Sequence, residues 1–441
     1  MRKVLIIATD FPPKLSIASR RPFGLAKYLP RYGWEPIVLT ESEKERNEKH
    51  HPNIKVIEAK VLSIPTYIKS FLDIIHERKN ILKNDGREKA EQNSFTQGSS
   101  ENRLITLLRN IIFYPDRYLT TWYRNALKKY YQTVGDNHID AIISTARPFT
   151  THLIARHLKV RENIPWIADF RDLWPHWKIY ENDADYYNLK NCPNRLLLKW
   201  SLGLADALVT VNKPSSLLLK KRFKKKRIYN IPNGFDPEEY SNDIEMDSNS
   251  FILTYTGHIR EDRQDPEILL KVVSKLIKEG SINKKQIIIR FYGKITPKLT
   301  RDIRKHHLDN IVLADGFLKP RDEIIIRQKE SSLLILLAAR DAHNRGHTPG
   351  KIYEYFAARR PILTIGKPEG PDVLEDLLNM TRTGNYARTI EEVNHSIMTY
   401  YDQFINKGKV EYEGIDNEIK KFSYEEMALK YAKILDMLTK E

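Results

Sequence analysis

"GHTPGKIYEYFAARRPILTIG" occupies Gly346 to Gly366. It joins a Pro-Gly turn to a short patterned helix and runs straight into an apolar strand. Pro349 has the fixed φ that a first helical turn needs, and Gly350 lets another group approach the backbone closely. Ile352 and Phe356 are spaced i, i+4 and define a buried face, while Lys351 and Glu354 at i, i+3 share another. "PILTIG" is a continuous apolar run of the kind that fills the middle of a parallel sheet. Loop, helix and buried strand in that order form the repeating half-unit of a doubly wound α/β domain.

The same alternation extends in both directions. The chain begins with the strand "KVLIIAT", then the loop "DFPPKLSIAS", a helix from about Arg20 to Arg31 with Pro22 in its first turn, and the strand "EPIVLT". From Asp140 onward, strand and helix alternate through "DAIIST", "PFTTHLIARHLKVR", "PWIADF", "NRLLLKWSLGLA", "DALVTV", "PSSLLLKKRFK" and "RIYNIPNG". A second series starts at "FILTYTG" and runs through "PEILLKVVSKLIKEG", "QIIIRFYG", "PKLTRDIRKHHL", "IVLADG", "RDEIIIRQKE" and "SLLILLA" to the opening stretch, and a final helix covers about Ser423 to Lys440. Residues 1–235 and 236–441 are therefore expected to form two Rossmann-like domains. Between the two series of the first half, "HPNIKVIEAK" reads as a strand, "LTTWYRNALKKYYQTV" as a helix, and Lys83 to Asn102, which has almost no large apolar residues, as a mobile loop. Two doubly wound domains leave a cleft, and ligands of such sheets bind beyond the carboxyl ends of the strands.

Bulk properties narrow the function classes. The 441 residues are ample for two cores, and 41% apolar with 29% charged content is that of a folded globular chain. Cys192 is the single cysteine, which excludes an intrachain disulfide and fits a reducing cytoplasm. The apolar runs Val4–Ala8 and Ser331–Ala339 are too short for a signal-peptide core or a membrane span. A formal charge of +16 implies an anionic partner, whether phosphorylated small molecule, anionic membrane face or nucleic acid.

The start of the opening helix has the chemistry of an anion site. Unpaired N–H groups point out of a helix N-terminus, Gly350 leaves room for a ligand, and Lys351 adds a full charge. A carboxylate one turn in, Glu354, is placed to accept hydrogen bonds from ribose hydroxyls, as the acidic residue of dinucleotide folds does. The same residues also fit an ordinary amphipathic helix whose Lys and Glu pair on the surface.

Several segments taken together go further. "IPWIADFRDLWP", "DALVTVN", "IPNGFDPEEY", "YTGHIREDRQDPEILLKVV" and "HTPGKIYEYFAARRPILTIG" occur in the order and spacing of one family. The chain resembles the retaining glycosyltransferases of family 4, over nearly all its length except roughly residues 41 to 110. The resemblance implies the GT-B architecture, two Rossmann-like domains facing across a cleft, with a C-terminal helix that can cross back to the first domain. It implies a metal-independent hexosyltransferase that moves a sugar from a nucleotide diphosphate donor, of UDP or GDP type, to a glycan acceptor. The expected acceptor is lipid-linked, in cell-surface polysaccharide assembly, and no resident cofactor is expected. On this resemblance Arg263 and Lys351 hold the donor diphosphate, Glu354 the ribose, and Thr348 and Gly350 line the donor. Asp169, Arg171 and Asp172 lie at the active-site strand end, with Asp169 and Asp172 on the catalytic side and Asp172 the first choice for positioning or deprotonating the acceptor hydroxyl. The family's usual pair of glutamates, separated by seven residues, is incomplete: Gly346 stands where the first belongs, and His347 and Thr348 are the residues available to replace its contacts to the sugar. The family's Gly-Gly of the first loop is replaced by "SIAS", with Arg20 and Arg21 close behind as candidate acceptor or phosphate contacts. The alternatives are a nucleotide-sugar epimerase of the same fold and a non-catalytic glycosyltransferase-like binding protein.

Other signals are weaker. "DAD" at Asp183 to Asp185 lies in a polar loop with no strand before it and reads as a chance match to a metal motif. There is no Walker loop, no "GxGxxG" and no "GxSxG", so ATP hydrolysis, hydride transfer and α/β-hydrolase chemistry are not expected. Seven of the eight residues from Lys220 to Arg227 are cationic, and Ile64 to Lys83 is aromatic and apolar with basic flanks. Both fit a solvated helix end or docking on anionic lipid at the inner face of the membrane. No recognition module for a specific nucleic acid accompanies them.

Overall fold

A computed structural model describes residues 1–14, 16–42, 53–62, 115–135, 138–172, 192–316, 321–339, 348–366 and 372–440. The elements of the first half are β1 (Arg2–Ile7), α1 (Ile17–Tyr28), β2 (Trp34–Glu41), β3 (Lys55–Ala59), α2 (Tyr118–Thr121), α3 (Tyr123–Val134), β4 (Ala141–Ala146), α4 (Thr150–Glu162), β5 (Trp166–Phe170), α5 (Cys192–Leu202), β6 (Ala207–Thr210), α6 (Lys213–Arg222) and β7 (Arg227–Asn230). The second half has β8 (Phe251–Thr256), α7 (Glu267–Lys278), β9 (Ile287–Tyr292), α8 (Pro297–Lys305), β10 (Val312–Gly316), α9 (Arg321–Glu330), β11 (Leu333–Leu337), α10 (Lys351–Ala358), β12 (Ile362–Ile365), α11 (Val373–Thr381), β13 (Gly384–Ala387), α12 (Ile390–Lys407), α13 (Asp416–Lys420) and α14 (Tyr424–Leu438). They form two compact units: residues 1–210, 220–229 and 432–441, and residues 211–219 and 230–431. The last ten residues thus return to the first unit, where Asp436 accepts from the Trp34 indole N–H at 2.9 Å and pairs with Arg2.

Each unit carries one parallel sheet. The seven-stranded sheet has the order β3-β2-β1-β4-β5-β6-β7, and the six-stranded sheet β10-β9-β8-β11-β12-β13. In both, the order reverses beside the first strand, between β1 and β4 and between β8 and β11. Ligands in doubly wound sheets sit at that reversal, beyond the carboxyl ends. The central strands are apolar runs because both faces are covered: Val4 to Ile7 and Leu333 to Leu337 are all buried. The flanking helices are one-sided, as in α7, where Leu269, Leu270, Val272, Val273 and Leu276 face the sheet.

Three local readings of the sequence need correction. α1 begins at Ile17, not Arg20, because Ser16 and Ser19 form a reciprocal capping box with hydrogen bonds of 3.1 and 3.2 Å. "SIAS" is therefore a cap and a first turn, and Pro22 lies inside the helix. The single helix expected over "LTTWYRNALKKYYQTV" breaks at Trp122, whose buried indole donates to the Ala59 carbonyl at 3.0 Å. The stretch from 373 to 422, which carries no expected element, supplies α11, β13, α12 and α13.

Candidate functional site

In the second unit the residues picked from the sequence gather at the carboxyl edge of the sheet, where β8 and β11 part. β8 is followed directly by Gly257, whose φ of +110° only glycine adopts readily. A Cβ there would lie 3.1 Å from Lys351 Nζ, so the missing side chain is what lets the ammonium come down over the strand end. The loop after Gly257 is tied to the neighbouring strand by Gln264, whose amide donates to the Leu337 carbonyl at 2.6 Å. Arg263 sits in this loop, one-third exposed, with Nε 3.1 Å from Asp262.

α10 enters the same edge. Gly350 is its N-cap with no side-chain cap, and in the first turn the Ile352 and Tyr353 N–H groups turn back to the carbonyls of Pro349 (3.1 Å) and Gly350 (3.3 Å), so the open end of the helix is presented by the Gly350 and Lys351 backbone. Lys351 Nζ donates to the Tyr255 hydroxyl at 2.6 Å and lies 3.9 Å from that ring's centroid. Burial pushes its pKa down to about 7. Thr348 lies just before the helix, half-buried. His347 and Gly346 fall outside the described residues.

Glu354, one turn on, is held from two sides. Gln328 Nε2 is 3.4 Å from one carboxylate oxygen and Arg321 Nη1 is 3.7 Å from the other. Arg321 is fixed in turn by Glu239 at 2.7 Å. Gln328 belongs to a buried chain of hydrogen bonds: its carbonyl accepts from the Tyr240 hydroxyl and its amide donates to Thr256, both at 3.0 Å. Thr256 N–H donates to the Tyr355 hydroxyl at 3.0 Å, which donates to the Ile335 carbonyl at 3.2 Å. The chain locks α9, β8, β11 and α10 together and so fixes the direction of Glu354. Arg321, Gln328 and Tyr255 were not anticipated. Their one signal in the sequence is a polar residue on a helix face or a tyrosine in a strand, which is also what an ordinary core shows.

The strand end of the first unit divides into structural and accessible groups. Asp169 is fully buried, and both its oxygens are taken by Arg21, with Oδ2 to Nε at 2.9 Å and Oδ1 to Nη2 at 3.0 Å. The pair fastens α1 to β5, and neither residue presents its charge to solvent. Arg171 is likewise engaged within the first unit. Its guanidinium donates to the carbonyls of Ala18 (2.6 Å), Ala146 (3.2 Å) and Arg147 (2.6 Å). The Ala18 carbonyl is open to it because Pro22, four residues on, has no N–H to fill the helical bond. Asp172 alone of the strand-end acids is exposed, with Arg147 Nη2 at 3.8 Å. Arg20 is half-buried on α1. Across the order reversal, Lys14 in the first loop pairs with Asp10 at 2.7 Å and with Glu41.

Among the described residues one carboxylate cluster has metal-like spacing, Asp265, Glu267 and Asp302. Lysines already fill it. Lys298 donates to Asp265 at 3.0 Å and Asp302 at 2.7 Å, and Lys305 to Glu267 at 2.5 Å. Asp183 to Asp185 fall outside the described residues.

No family model matches the sequence, and no curated protein is detectably similar to it. Solved structures are similar in fold over the whole chain. Sucrose-phosphate synthase from Thermosynechococcus elongatus is 12% identical, with 99% of each chain covered and a TM-score of 0.60. Anabaena Alr3699/HepE in complex with UDP is 12% identical, with 99% of this chain and 100% of that chain covered and a TM-score of 0.57. A TarM mutant from S. aureus, in a complex that includes UDP and alpha-GlcNAc-glycerol, is 10% identical, with 99% and 100% covered and a TM-score of 0.56. The chain thus has the GT-B fold, two Rossmann-like domains of the kind these glycosyltransferases share.

Proposed function

We propose that the chain is a glycosyltransferase that moves a sugar from a UDP- or GDP-type donor to a glycan acceptor, without a metal ion and with retention at the anomeric carbon. The observation that carries the reading is the start of α10. The Lys351 ammonium and the N-terminal end of the helix lie at the β8/β11 reversal, with a fixed carboxylate one turn further on. Lys351, Gly350 and Arg263 would hold the diphosphate, where positive charge stabilises the leaving group as the glycosidic bond breaks. Glu354 would accept from the ribose hydroxyls, and Thr348 and His347 would line the sugar. Asp172 would receive the acceptor hydroxyl, with Arg20 a further acceptor contact, and Asp169, Arg21 and Arg171 would position that strand end.

Calorimetric titration of UDP and GDP into the full chain, without divalent metal, tests the site. Wild type should bind one nucleotide diphosphate, and Glu354→Ala should bind about tenfold more weakly, since one charge-assisted hydrogen bond is worth about 1.5 kcal/mol. Absence of nucleotide binding would sink the reading. Sugar donor consumed without any acceptor would move it to an epimerase, and binding without turnover to a non-catalytic relative.

The acceptor is proposed to be lipid-linked, in cell-surface polysaccharide assembly, and reached from the cytoplasmic face. No helix among the described residues is long and apolar enough to cross a membrane. The first unit instead exposes Leu196 and Trp200, spaced i, i+4 on α5, and Leu204 just beyond. Arg156 lies 3.5 Å over the Trp200 ring. The basic run joins this face: Lys226 donates to the carbonyls of Gly203, at 2.7 Å, and Ala205, while Lys220, Lys221, Lys224, Lys225 and Arg227 stay exposed. Apolar anchors among exposed cations are what an anionic lipid surface binds. Trp200→Ser should weaken sedimentation with phosphatidylserine vesicles several-fold and leave UDP binding unchanged. Equal sedimentation of mutant and wild type would remove this face from the proposal. The apolar stretch from 64 to 83 lies outside the described residues.

A further inference from the structure

Lys351 is a buried cation without an anion. Burial alone accounts for its low pKa, and among the described residues no carboxylate offsets its charge. Glu354, three residues on, is held instead by Gln328 at 3.4 Å and Arg321 at 3.7 Å. On the loop after β8, Arg263 lies against Asp262 and His258 is exposed. An ammonium withdrawn from water either gives up its proton or finds a hydrogen-bond acceptor. The acceptor here is Tyr255.

Tyr255 is the penultimate residue of β8 and is 1% exposed. Its ring packs against Phe291 of β9, with centroids 6.0 Å apart, so its plane is fixed. The hydroxyl donates to the His258 carbonyl at 3.1 Å and accepts from Lys351 Nζ at 2.6 Å. The bond to His258 commits the phenolic proton, which leaves the oxygen lone pairs to the ammonium. The ring centroid is 3.9 Å from Nζ, within cation–π range. Burial, and after it Tyr355, raises the Tyr255 pKa, so this partner stays neutral. The neutrality has a consequence for ligands. A carboxylate at this place would cancel the ammonium charge and repel a phosphate, whereas a phenol takes one of its three protons and leaves the charge and two protons available. Thr256, the next residue of β8, supports Glu354 through Gln328. Two successive residues of one strand end therefore set both charged groups of the site.

We propose that Tyr255 is a positioning residue for the nucleotide diphosphate: its hydroxyl and ring hold the Lys351 ammonium protonated and in place at the β8 end without neutralising it. The inference rests on the reading of this edge as the diphosphate site. Tyr255 acts on the ligand only through Lys351. Its hydrogen bond favours the charged form of the lysine, against burial, which disfavours it. With the hydroxyl removed, burial is unopposed and Lys351 loses its proton at a lower pH. A hydroxyl that served only to tie the His258 turn to the strand would leave that titration where it is.

The test compares wild type with Tyr255→Phe, which keeps the ring, in the full chain and by two readouts. The first is NMR of carbon-labelled lysine without ligand, with the Lys351 signal identified by its loss in Lys351→Met. Its titration midpoint should lie about one pH unit lower in Tyr255→Phe, the shift expected from losing one hydrogen bond to a charged group. The second is calorimetry with UDP. Tyr255→Phe should bind about tenfold more weakly than wild type near pH 8 and about equally well near pH 5.5, where the lysine is charged in both. In the Lys351→Met background Tyr255→Phe should have no further effect on UDP binding, because the two residues act as one. An unmoved lysine midpoint would overturn the proposal. So would a loss of UDP binding that is equal at every pH, or one that persists in Lys351→Met. A wild type that binds no UDP would refute the diphosphate reading instead, and the lysine midpoint would then still decide whether Tyr255 holds the charge.

Discussion

Asp169→Asn is expected to lower the stability of the chain by about 3–5 kcal/mol, the usual result of removing one partner from a buried ion pair. The side chains of Arg21 and Asp169 are 2% and 0% exposed, and two parallel N–H···O bonds join them. Asparagine has one acceptor oxygen and no charge, so the Arg21 guanidinium would stay buried beside an amide that also presents N–H groups to it. Urea titration with two spectroscopic probes measures the loss. The companion Asp172→Asn, half-exposed and 3.8 Å from its nearest cation, should change stability by less than about 0.5 kcal/mol while lowering turnover. The paired replacement Arg21→Met with Asp169→Leu should recover much of the loss, because the unpaired charge is then gone. A stable Asp169→Asn protein that has lost turnover would return Asp169 to the catalytic side and reverse the assignment made from its burial.

That contrast shows where the sequence could and could not be read. "ADFRDLW" displays three charged residues at a strand end, and nothing in the string separates a buried acid from an exposed one. The partner that decides it, Arg21, is 148 residues away. The strands were legible because β1, β5, β8 and β11 are buried on both faces and leave unbroken apolar runs. The two-domain fold followed from their alternation with helices. β13 was not legible: "GNYA" is a four-residue edge strand with one fully buried side chain, too short and too polar to show a pattern. α12 was legible and still missed. Val393, Ile397, Tyr400, Tyr401 and Phe404 form a helical stripe, but no neighbouring strand of ordinary length draws attention to it. The helix start at Lys351 was readable because Pro, Gly and Lys act locally through φ, missing bulk and charge. The support of Glu354 by Gln328 and Arg321 was not, since it depends on which face of α9 meets α10.

Lys351→Met should weaken binding of a nucleotide diphosphate by about 10- to 100-fold, since hydrogen bonds to charged groups are worth about 1.5–3 kcal/mol. The pH dependence is the sharper part. In the unliganded chain burial holds the Lys351 pKa at about 7. A diphosphate laid against the ammonium favours the charged form and raises that pKa, so binding takes up a proton when the pH lies between the two values. Affinity should therefore be flat with respect to this lysine below its free pKa, and fall about tenfold for each pH unit above it until the liganded pKa is reached. The sign for folding is the opposite. The unfolded chain, with a lysine near 10.4, holds the proton that the folded chain releases, so this one group makes the unliganded fold more stable as pH rises from about 7 to about 10. Titrations of UDP at pH 7 in two buffers of different ionisation enthalpy would count the protons taken up, with Lys351→Met as the reference that should show neither the uptake nor the alkaline fall. An alkaline fall that survives in Lys351→Met would assign the titration to another group and leave Lys351 as a hydrogen-bond partner of Tyr255 alone.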